Sequence, residues 1–390
     1  MEKKLLISKE TQPSKTMAYL GPNGTFTEMA AALAMDKLGG DILPIQAKNI
    51  SEIFKMVADG TTELGIVPIE NSTDGPVGDT LKNLTDFEGT FIGEVAIPIS
   101  HSLYYQSAWL VQHVASKDTA LRQCQKHISK YLPGRNLMNV DSTALAVQMA
   151  AADPTIAAIG SKIAAEALGL TEKFWRVDGV EDNPLNTTRF VVISKSREVH
   201  EDLENNKTTL LVHMRDEPGS LANCLHVFSE NKINLTQIKS FLRDDQGVSF
   251  LISIDGGNHE ASVKKAFNDL YTYANYRVLG SYVKDETESQ EDQADINQIA
   301  DQLKREAVNG NGIDHDESVL AFTLKDEVGS LEKVVSIFTQ RKINLTRIDS
   351  IPTGRLNEYA FYLAFKNGIP NHQELLDEVK LACKEIVQIA

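Results

Sequence analysis

The sequence predicts an α/β domain with mostly parallel strands, followed by two copies of a smaller α+β domain. Short apolar strands alternate with amphipathic helices from about residue 17 to residue 196. A repeat then recurs at an offset of 110 residues, so that Lys-Ile-Asn-Leu-Thr stands at both 232–236 and 342–346. At roughly 150 residues per domain, 390 residues leave room for two or three domains.

In the first domain, apolar runs predict strands and helical spacing of apolar residues predicts the helices between them. The expected strands are 17–20, 65–69, 90–97, 108–111, 157–159 and 189–193, and the expected helices are 27–37, 51–59, 78–84, 119–130, 142–152 and 161–168. Ligands of such sheets bind beyond the carboxyl ends of the strands, where a loop leads into the next helix.

Each copy of the repeat reads as strand, glycine turn, helix, two strands and a closing helix. Two copies are too few for a solenoid, so they indicate a tandem duplicated domain. We place the first copy at 207–283 and the second at 318–390. Between them, 284–317 is acidic and poor in apolar residues, which predicts a linker with one short amphipathic helix.

Charge and composition exclude several classes of protein. The 39 basic and 54 acidic residues give a net charge of −15, which disfavours nucleic acid as a partner. No apolar run is long enough to span a membrane, and no leader peptide is recognisable. The three cysteines form no metal or redox spacing, which is typical of a reduced cytoplasmic protein. Metal and nucleotide fingerprints are missing, so we expect neither a metal nor a cofactor.

Two polar loops follow predicted strands and precede helices. The loop at 21–28 contains Thr25 and Thr27, and the loop at 68–75 contains Glu70, Asn71 and Ser72. Hydroxyl and amide groups at a helix start often only cap the helix. Free backbone N–H groups at the same place also bind anions. Both interpretations remain open for the first loop, whereas capping leaves Glu70 and Asn71 unexplained.

A third polar loop, at 183–190, leads into a strand of Val and Ile. It brings Asn186 and Thr188 next to Arg189. An arginine at the start of a strand is usually solvated, but beside hydroxyls and amides it suits a carboxylate ligand. Together, the three loops predict a polar cleft for an anion.

These motifs resemble the prephenate dehydratase family. The matching stretches are Gly-Pro-Asn-Gly-Thr-Phe-Thr-Glu at 21–28, Val-Pro-Ile-Glu-Asn-Ser-Thr-Asp-Gly at 67–75, Ile-Ser-His at 99–101 and Asn-Thr-Thr-Arg-Phe at 186–190. The resemblance implies a two-lobed fold like that of periplasmic binding proteins over 17–196. Its lobes would be about 17–98 with 175–196, and 99–174, with the site between them.

The resemblance also implies the reaction and the residues that serve it. Prephenate would lose its ring hydroxyl and carbon dioxide together and become phenylpyruvate, without a metal or cofactor. Thr188 would give a hydrogen bond or proton to the departing hydroxyl. Arg189 would hold a carboxylate or orient the strand, and Phe190 would pack beside the ring. The other substrate-binding residues implied are Asn186, Glu70, Asn71, Ser72, Thr25 and Thr27.

The repeated unit resembles the ACT regulatory domain, which is α+β and ferredoxin-like, and L-phenylalanine would be the effector. The implied allosteric residues are Pro218, Gly219, Ser220, Leu221, Asn234, Leu235 and Thr236 in the first copy, and Val328, Gly329, Ser330, Leu331, Asn344, Leu345 and Thr346 in the second. The family's Glu-Ser-Arg-Pro becomes Lys-Ser-Phe-Leu at 239–242 and Asp-Ser-Ile-Pro at 349–352. The second copy therefore keeps more of the motif, and the first could serve only as its structural partner.

Alternatives remain open at this point. The same chemistry on arogenate is one of them, and a non-catalytic amino-acid sensor is another. The likeness implies a homo-oligomer, a dimer or a tetramer, although the two ACT copies could instead pair within one chain.

Overall fold

The structure is a computed structural model that describes residues 15–169, 174–184, 186–196, 204–214, 219–243, 247–285, 317–324, 327–352, 359–366 and 372–388. Nearly all of the expected linker at 284–317, with its helix, lies outside the described residues, as do Leu185 and Pro218.

Residues 15–196 alternate strands and helices. The strands are β1 (Lys15–Leu20), β2 (Ile42–Ala47), β3 (Leu64–Asn71), β4 (Gly75–Pro76), β5 (Thr90–Pro98), β6 (Ser102–Tyr105), β7 (His113–Ser116), β8 (Asn136–Asn139), β9 (Ile156–Gly160), β10 (Trp175–Asp178) and β11 (Thr187–Ser194). The helices are α1 (Phe26–Leu38), α2 (Ile50–Asp59), α3 (Gly78–Asp86), α4 (Asp118–Gln123), α5 (Gln125–Tyr131), α6 (Thr143–Ala152) and α7 (Lys162–Ala167). Among the described residues, no helix has the length and apolar character needed to cross a membrane.

These strands form two sheets, one for each lobe. The first sheet has the order β2-β1-β3-β11-β5, with β4 beside β3, and the second has the order β10-β6-β9-β7-β8. The chain leaves the first lobe after β5 and returns as β11, which inserts antiparallel between β3 and β5. The first sheet is therefore mixed, because β1 runs parallel to β2 and β3.

The first domain differs from the expectations in several respects. Strands β2, β4, β8 and β10 have no counterpart among the expected strands. The expectation of mostly parallel strands is wrong, because β11 and β4 in the first sheet, and β6 in the second, pair antiparallel with their neighbours.

The expected strand at 108–111 is wrong: these residues form a turn in which Trp109 is 94% exposed, and the strands are β6 and β7 on either side. An apolar run alone could not reveal that it lacks a sheet neighbour. In addition, β10 pairs with β6 in the second sheet, so the return to the first lobe occurs after β10 and not at residue 175.

The repeats have one more strand each than the sequence predicted. The first repeat, as the term is used below, contains β12 (Lys207–Met214), α8 (Ser220–Glu230), β13 (Leu235–Arg243), β14 (Gly247–Asp255), α9 (Ala261–Leu270) and β15 (Ala274–Tyr282). The second repeat contains β16 (Glu317–Thr323), α10 (Ser330–Gln340), β17 (Leu345–Pro352), β18 (Tyr359–Lys366), α11 (His372–Ala382) and β19 (Glu385–Gln388). Each closing helix is thus followed by a strand, which pairs with the first strand of its own repeat.

The two repeats join into one sheet of order β15-β12-β14-β13-β17-β18-β16-β19. At the junction, Lys239 of β13 stands opposite Asp349 of β17. Ser240 and Ser350, which are equivalent positions of the two repeats, bond across it: Ile238 N donates to Ser350 Oγ at 2.9 Å and Ile348 N donates to Ser240 Oγ at 3.2 Å. The helices of both repeats share one apolar core on a single face of this sheet.

The first repeat packs with its other face against the first lobe. Leu211, Leu251 and Leu279 are buried in one cluster with Phe54 and Phe87 of that lobe. Burial of this apolar surface supplies the main attraction between the two parts, because it removes large side chains from water.

A buried charge cluster lies at the same boundary. The Glu94 carboxylate on β5 is 3.0 Å from Arg189 Nη1 and 2.7 Å from Lys207 Nζ of the first repeat. Burial by itself raises the pKa of Glu94, but Lys207 and Arg189 outweigh it, so that the pKa lies below its usual value. The carboxylate therefore remains charged and links β11 to the first repeat.

Replacing Glu94 with Leu removes the carboxylate that Arg189 and Lys207 share. We expect a loss of about 3–5 kcal/mol in the free energy of unfolding, as for one partner of a buried ion pair. Urea denaturation followed by circular dichroism measures it. The control Glu166→Leu breaks the exposed pair with Lys162 and should cost less than about 1 kcal/mol. Equal effects of the two substitutions would contradict the assignment.

Candidate active site

A cavity of about 540 Å³ lies between the two lobes. This volume is in the range of sites for small metabolites. The first lobe contributes the loop after β1, the start of α2, the residues after β3, and part of β11. The second lobe contributes the starts of α4 and α6. The cavity thus lies beyond the carboxyl ends of β1 and β3, as expected for such sheets.

Several helices point their amino-terminal ends at this cavity. Thr25 caps α1 by accepting a hydrogen bond from Glu28 N at 3.3 Å, and Asn49 and Ser142 cap α2 and α6 in the same way. All three capping residues line the cavity. Helix amino-termini carry partial positive charge, so this convergence favours an anionic ligand despite the acidic chain.

Two lysines add full positive charge. Lys48 precedes Asn49, the capping residue of α2, and Lys117 lies directly before α4; both line the cavity and are otherwise exposed. Both side chains are exposed to solvent at the cavity, so their ammonium groups can contact a bound ligand. The cavity therefore offers cationic groups on both lobes, which suits a ligand with two carboxylates.

Thr188 and Asn71 form the polar wall of the cavity on the first lobe. They stand opposite each other on β11 and β3, and Asn71 Nδ2 donates to Thr188 Oγ1 at 2.7 Å. Asn71 Oδ1 accepts from the backbone N–H groups of Thr73 and Asp74, both at 2.8 Å, which fixes the orientation of the amide. Because Thr188 Oγ1 accepts this bond, its own hydrogen is available to donate to a ligand.

A chain of polar side chains connects the lobes beside this wall. His101 Nε2 lies 3.0 Å from Gln123 Oε1, and Gln123 Nε2 donates to Asp74 Oδ2 at 2.5 Å. Since an amide oxygen only accepts, His101 carries its proton on Nε2. Its Nδ1 is buried and has no hydrogen-bond partner among the described residues. Burial lowers the pKa of His101 and raises that of Asp74.

The structure brings five of the sequence-predicted substrate-binding and catalytic residues to the cavity. Thr25, Thr27, Asn71, Thr188 and Phe190 all line it. Thr27 and Phe190 are buried, and each presents only a small part of its side chain to the cavity.

Four other predicted residues do not line the cavity. Side chains alternate along a strand, so Arg189 points away from Thr188 and Phe190 and reaches Glu94 instead. For the same reason Glu70 faces away from Asn71, and its carboxylate contacts Lys239. Placement of Arg189 on a substrate carboxylate is therefore corrected: its guanidinium lies outside the cavity lining and contacts Glu94.

Ser72 and Asn186 have a structural role at the end of β3. Ser72 Oγ accepts from Thr187 N at 2.9 Å and lies 3.4 Å from Asn186 Oδ1. The carbonyl oxygen of Asn186 accepts from Ile99 N at 2.7 Å. These bonds hold the strand end that carries Thr188, and neither residue lines the cavity.

Sequence reasoning missed several cavity residues. His101 stands in the Ile-Ser-His motif and Asp74 in the polar loop at 68–75, but neither position by itself indicates a role in the site. Lys48, Lys117 and Gln123 carried no local signal, because a charged or amide residue near a helix start is common on a protein surface. Their role depends on the second lobe facing the first.

Comparison with known proteins agrees with this geometry. Residues 17–198 match the family described as prephenate dehydratase. The bifunctional chorismate mutase/prephenate dehydratase of Aquifex aeolicus is 33% identical over 69% of this chain and 73% of its own length. The prephenate dehydratase of Methanocaldococcus jannaschii is 32% identical over 69% and 98%.

A solved structure is similar over more of this chain than the family model matches. The prephenate dehydratase of Arthrobacter aurescens in complex with L-Phe is 26% identical, with a TM-score of 0.63 over 76% of this chain and all of that chain.

Two histidines test the electrostatics of the site. Burial lowers the pKa of His101, whereas the hydrogen bond to Glu332 raises the pKa of the exposed His226. We expect His226 to take up its proton at a higher pH than His101, as measured from imidazole chemical shifts between pH 5 and pH 8 and assigned with His226→Gln. The reverse order of titration would contradict the buried position of His101.

Proposed function

Because the chain belongs to the prephenate dehydratase family and converts prephenate to phenylpyruvate, we propose that the cavity between the lobes is where this reaction occurs and that Thr188 is its catalytic residue. The observation that carries this proposal is the Thr188 hydroxyl, held by Asn71 with its hydrogen available to the cavity. The product enters phenylalanine biosynthesis.

The chemistry requires little beyond positioning and hydrogen bonding. The bond between the ring and its carboxylate breaks, and its electron pair enters the ring as carbon dioxide leaves. The ring double bonds shift, and the bond to the ring hydroxyl breaks with its electron pair on oxygen. That oxygen takes up a proton and leaves as water, and the aromatic ring drives the reaction.

Thr188 would act on the departing oxygen. Its high pKa makes complete proton transfer unfavourable, but a hydrogen bond to the developing charge lowers the barrier. The proton that completes the departing water would be relayed from elsewhere, because the Asp74 carboxylate in the same cavity already contacts Gln123 and Arg122. Phe190 would pack beside the ring.

The substrate carboxylates would lie at the positive end of the cavity. The starts of α1, α2 and α6 offer backbone N–H groups, and Lys48 and Lys117 offer charge. The carboxylate that is lost must not be held so firmly that its charge cannot move into the ring. We therefore assign the strongest contacts to the carboxylate of the pyruvyl side chain, which is retained.

We also propose that the two repeats are ACT domains that bind L-phenylalanine. The Arthrobacter relative is an L-Phe complex, which supports this effector. Gly219 and Gly329 precede α8 and α10 with φ of 92° and 83°, and neither helix start has a side-chain cap. Their backbone N–H groups can therefore receive a carboxylate.

Each effector site would contain groups from both repeats. A side chain at Gly219 would meet Thr339, and one at Gly329 would meet Ser229, so each glycine turn lies against the helix of the other repeat. The hydroxyls of Thr236 and Thr346 are buried and, within the part of the chain that is described, have no hydrogen-bond partner. An amino acid bound at the turn could supply one. Formation of a homo-oligomer stays a prediction.

Substitution of Thr188 by Val removes the hydroxyl and keeps the shape. We expect kcat for phenylpyruvate formation to fall by about a hundredfold or more, the usual effect of one positioned donor. Thr187→Val, on the same strand but outside the cavity lining, is the control and should stay within about threefold. An unchanged kcat in Thr188→Val would exclude Thr188, and a wild-type chain without turnover on prephenate or arogenate would indicate a sensor.

Substitution of Thr346 by Val tests the effector site. We expect the affinity for L-phenylalanine to fall by about fivefold to tenfold, the effect of one hydrogen bond, in isothermal titration calorimetry. Thr236→Val reports on the first repeat in the same way. No loss of affinity in either variant would place the effector elsewhere.

A further inference from the structure

Lys239 is a buried lysine at the point where three parts of the molecule meet. It lies on β13, is 1% exposed, and stands opposite Asp349 of the second repeat. Its Nζ is 2.7 Å from Glu70 Oε1 of the first lobe and also donates to the carbonyl oxygen of Ser350. One side chain thus contacts the first lobe and the second repeat while belonging to the first repeat.

Among the residues that the structure describes, the Glu70 carboxylate makes one ion pair and accepts one hydrogen bond, and both of these partners lie on β13. Gln237 Nε2 donates to Glu70 Oε2 at 2.5 Å, beside the contact with Lys239. The carboxylate is only 3% exposed, so it has lost nearly all its water. A buried ion pair of this kind contributes little more to the free energy of unfolding than apolar residues of the same volume would. Its attraction offsets the cost of desolvation only when the two charged groups have the right distance and orientation. The pair therefore fixes the distance between β3 and β13.

The residue next to Glu70 is the one that orients the catalytic hydroxyl. Asn71 points to the opposite face of β3 and donates to Thr188 Oγ1 at 2.7 Å. The backbone of both residues is also paired with β11, Arg189 opposite Glu70 and Thr188 opposite Asn71. A shift of Glu70 is thereby transmitted to the Asn71 amide through one peptide unit.

We propose that Lys239 is a positioning residue for Thr188, acting through Glu70 and Asn71. This positioning role rests on the catalytic function proposed above for Thr188. Because Lys239 also bonds Ser350, a change in the pairing of β13 with β17 alters its hold on Glu70 and so the catalytic rate. The family motif has a glutamate at the position of Lys239. The contact with Glu70 explains why this chain has a lysine there instead.

The test compares two cations of the first repeat that contact the first lobe. Lys239→Met removes the contact with Glu70; the control Arg277→Met removes the bonds that Arg277 donates to the carbonyl oxygens of Leu84 and Phe87. Leu84 and Phe87 lie outside the cavity lining and outside β3 and β11. We expect Lys239→Met to lower kcat at least tenfold with KM within twofold, and Arg277→Met to leave kcat within threefold although its melting temperature falls. Equal losses of kcat in the two variants would overturn the proposal.

A double variant separates positioning from repair of an unpaired charge. Glu70→Gln with Lys239→Met removes both charges, so we expect it to recover the melting temperature but not kcat. Recovery of kcat together with stability would overturn the proposal. L-Phenylalanine should bind Lys239→Met with unchanged affinity in calorimetry and no longer change its rate; a retained rate response of wild-type size would also contradict the proposal.

A readout without turnover keeps this inference distinct from the proposed function. The side-chain amide signals of Asn71 in ¹⁵N–¹H spectra should move in Lys239→Met and stay in place in Arg277→Met. Unmoved signals in Lys239→Met would overturn the positioning role whether or not the chain turns over prephenate. A wild-type chain inactive on prephenate, with these signals moving as expected, would instead overturn only the catalytic assignment.

Discussion

The alternation of side chains along β3 and β11 is the constraint on which the rest of the site depends. These two antiparallel strands lie side by side in the first lobe, and their register places Thr188 opposite Asn71 and Arg189 opposite Glu70. On one face, Asn71 and Thr188 bond to each other in the wall of the cavity. On the other face, Glu70 and Arg189 reach charged groups at the boundary between the first lobe and the first repeat. If the register of these strands shifted by one residue, the side chains that face the cavity and those that face away from it would be exchanged.

The same two strands therefore line the cavity on one side and contact the first repeat on the other. The buried carboxylates of Glu70 and Glu94 each contact a buried lysine of the first repeat. Apolar side chains such as Leu211 and Leu279 provide the attraction between these parts, and the ion pairs determine their relative placement. Apolar contact is tolerant of small displacements, whereas a desolvated charge pair is not.

Duplication of the repeat changes what the second half of the chain can do. Since β13 and β17 pair within one chain, the two halves of the shared sheet can differ in sequence. Lys239 and Asp349 occupy equivalent positions and have opposite charges. In a pair of identical domains the same residue would face itself. The intrachain pair thus allows one repeat to contact the first lobe while the sequence of the other differs at the same position.

The sequence by itself determined the domain order, the repeat, and most helices and strands of the first domain, because apolar periodicity and turn residues are local. It also identified Thr188, Asn71, Thr25, Thr27 and Phe190 through their motifs. Only the tertiary structure decided that Arg189 and Glu70 turn away from the cavity, that β10 belongs to the second sheet, and that Gln123, Lys48 and Lys117 join the site. These facts depend on which elements face one another across a sheet or a cleft, and such contacts join residues far apart in the chain.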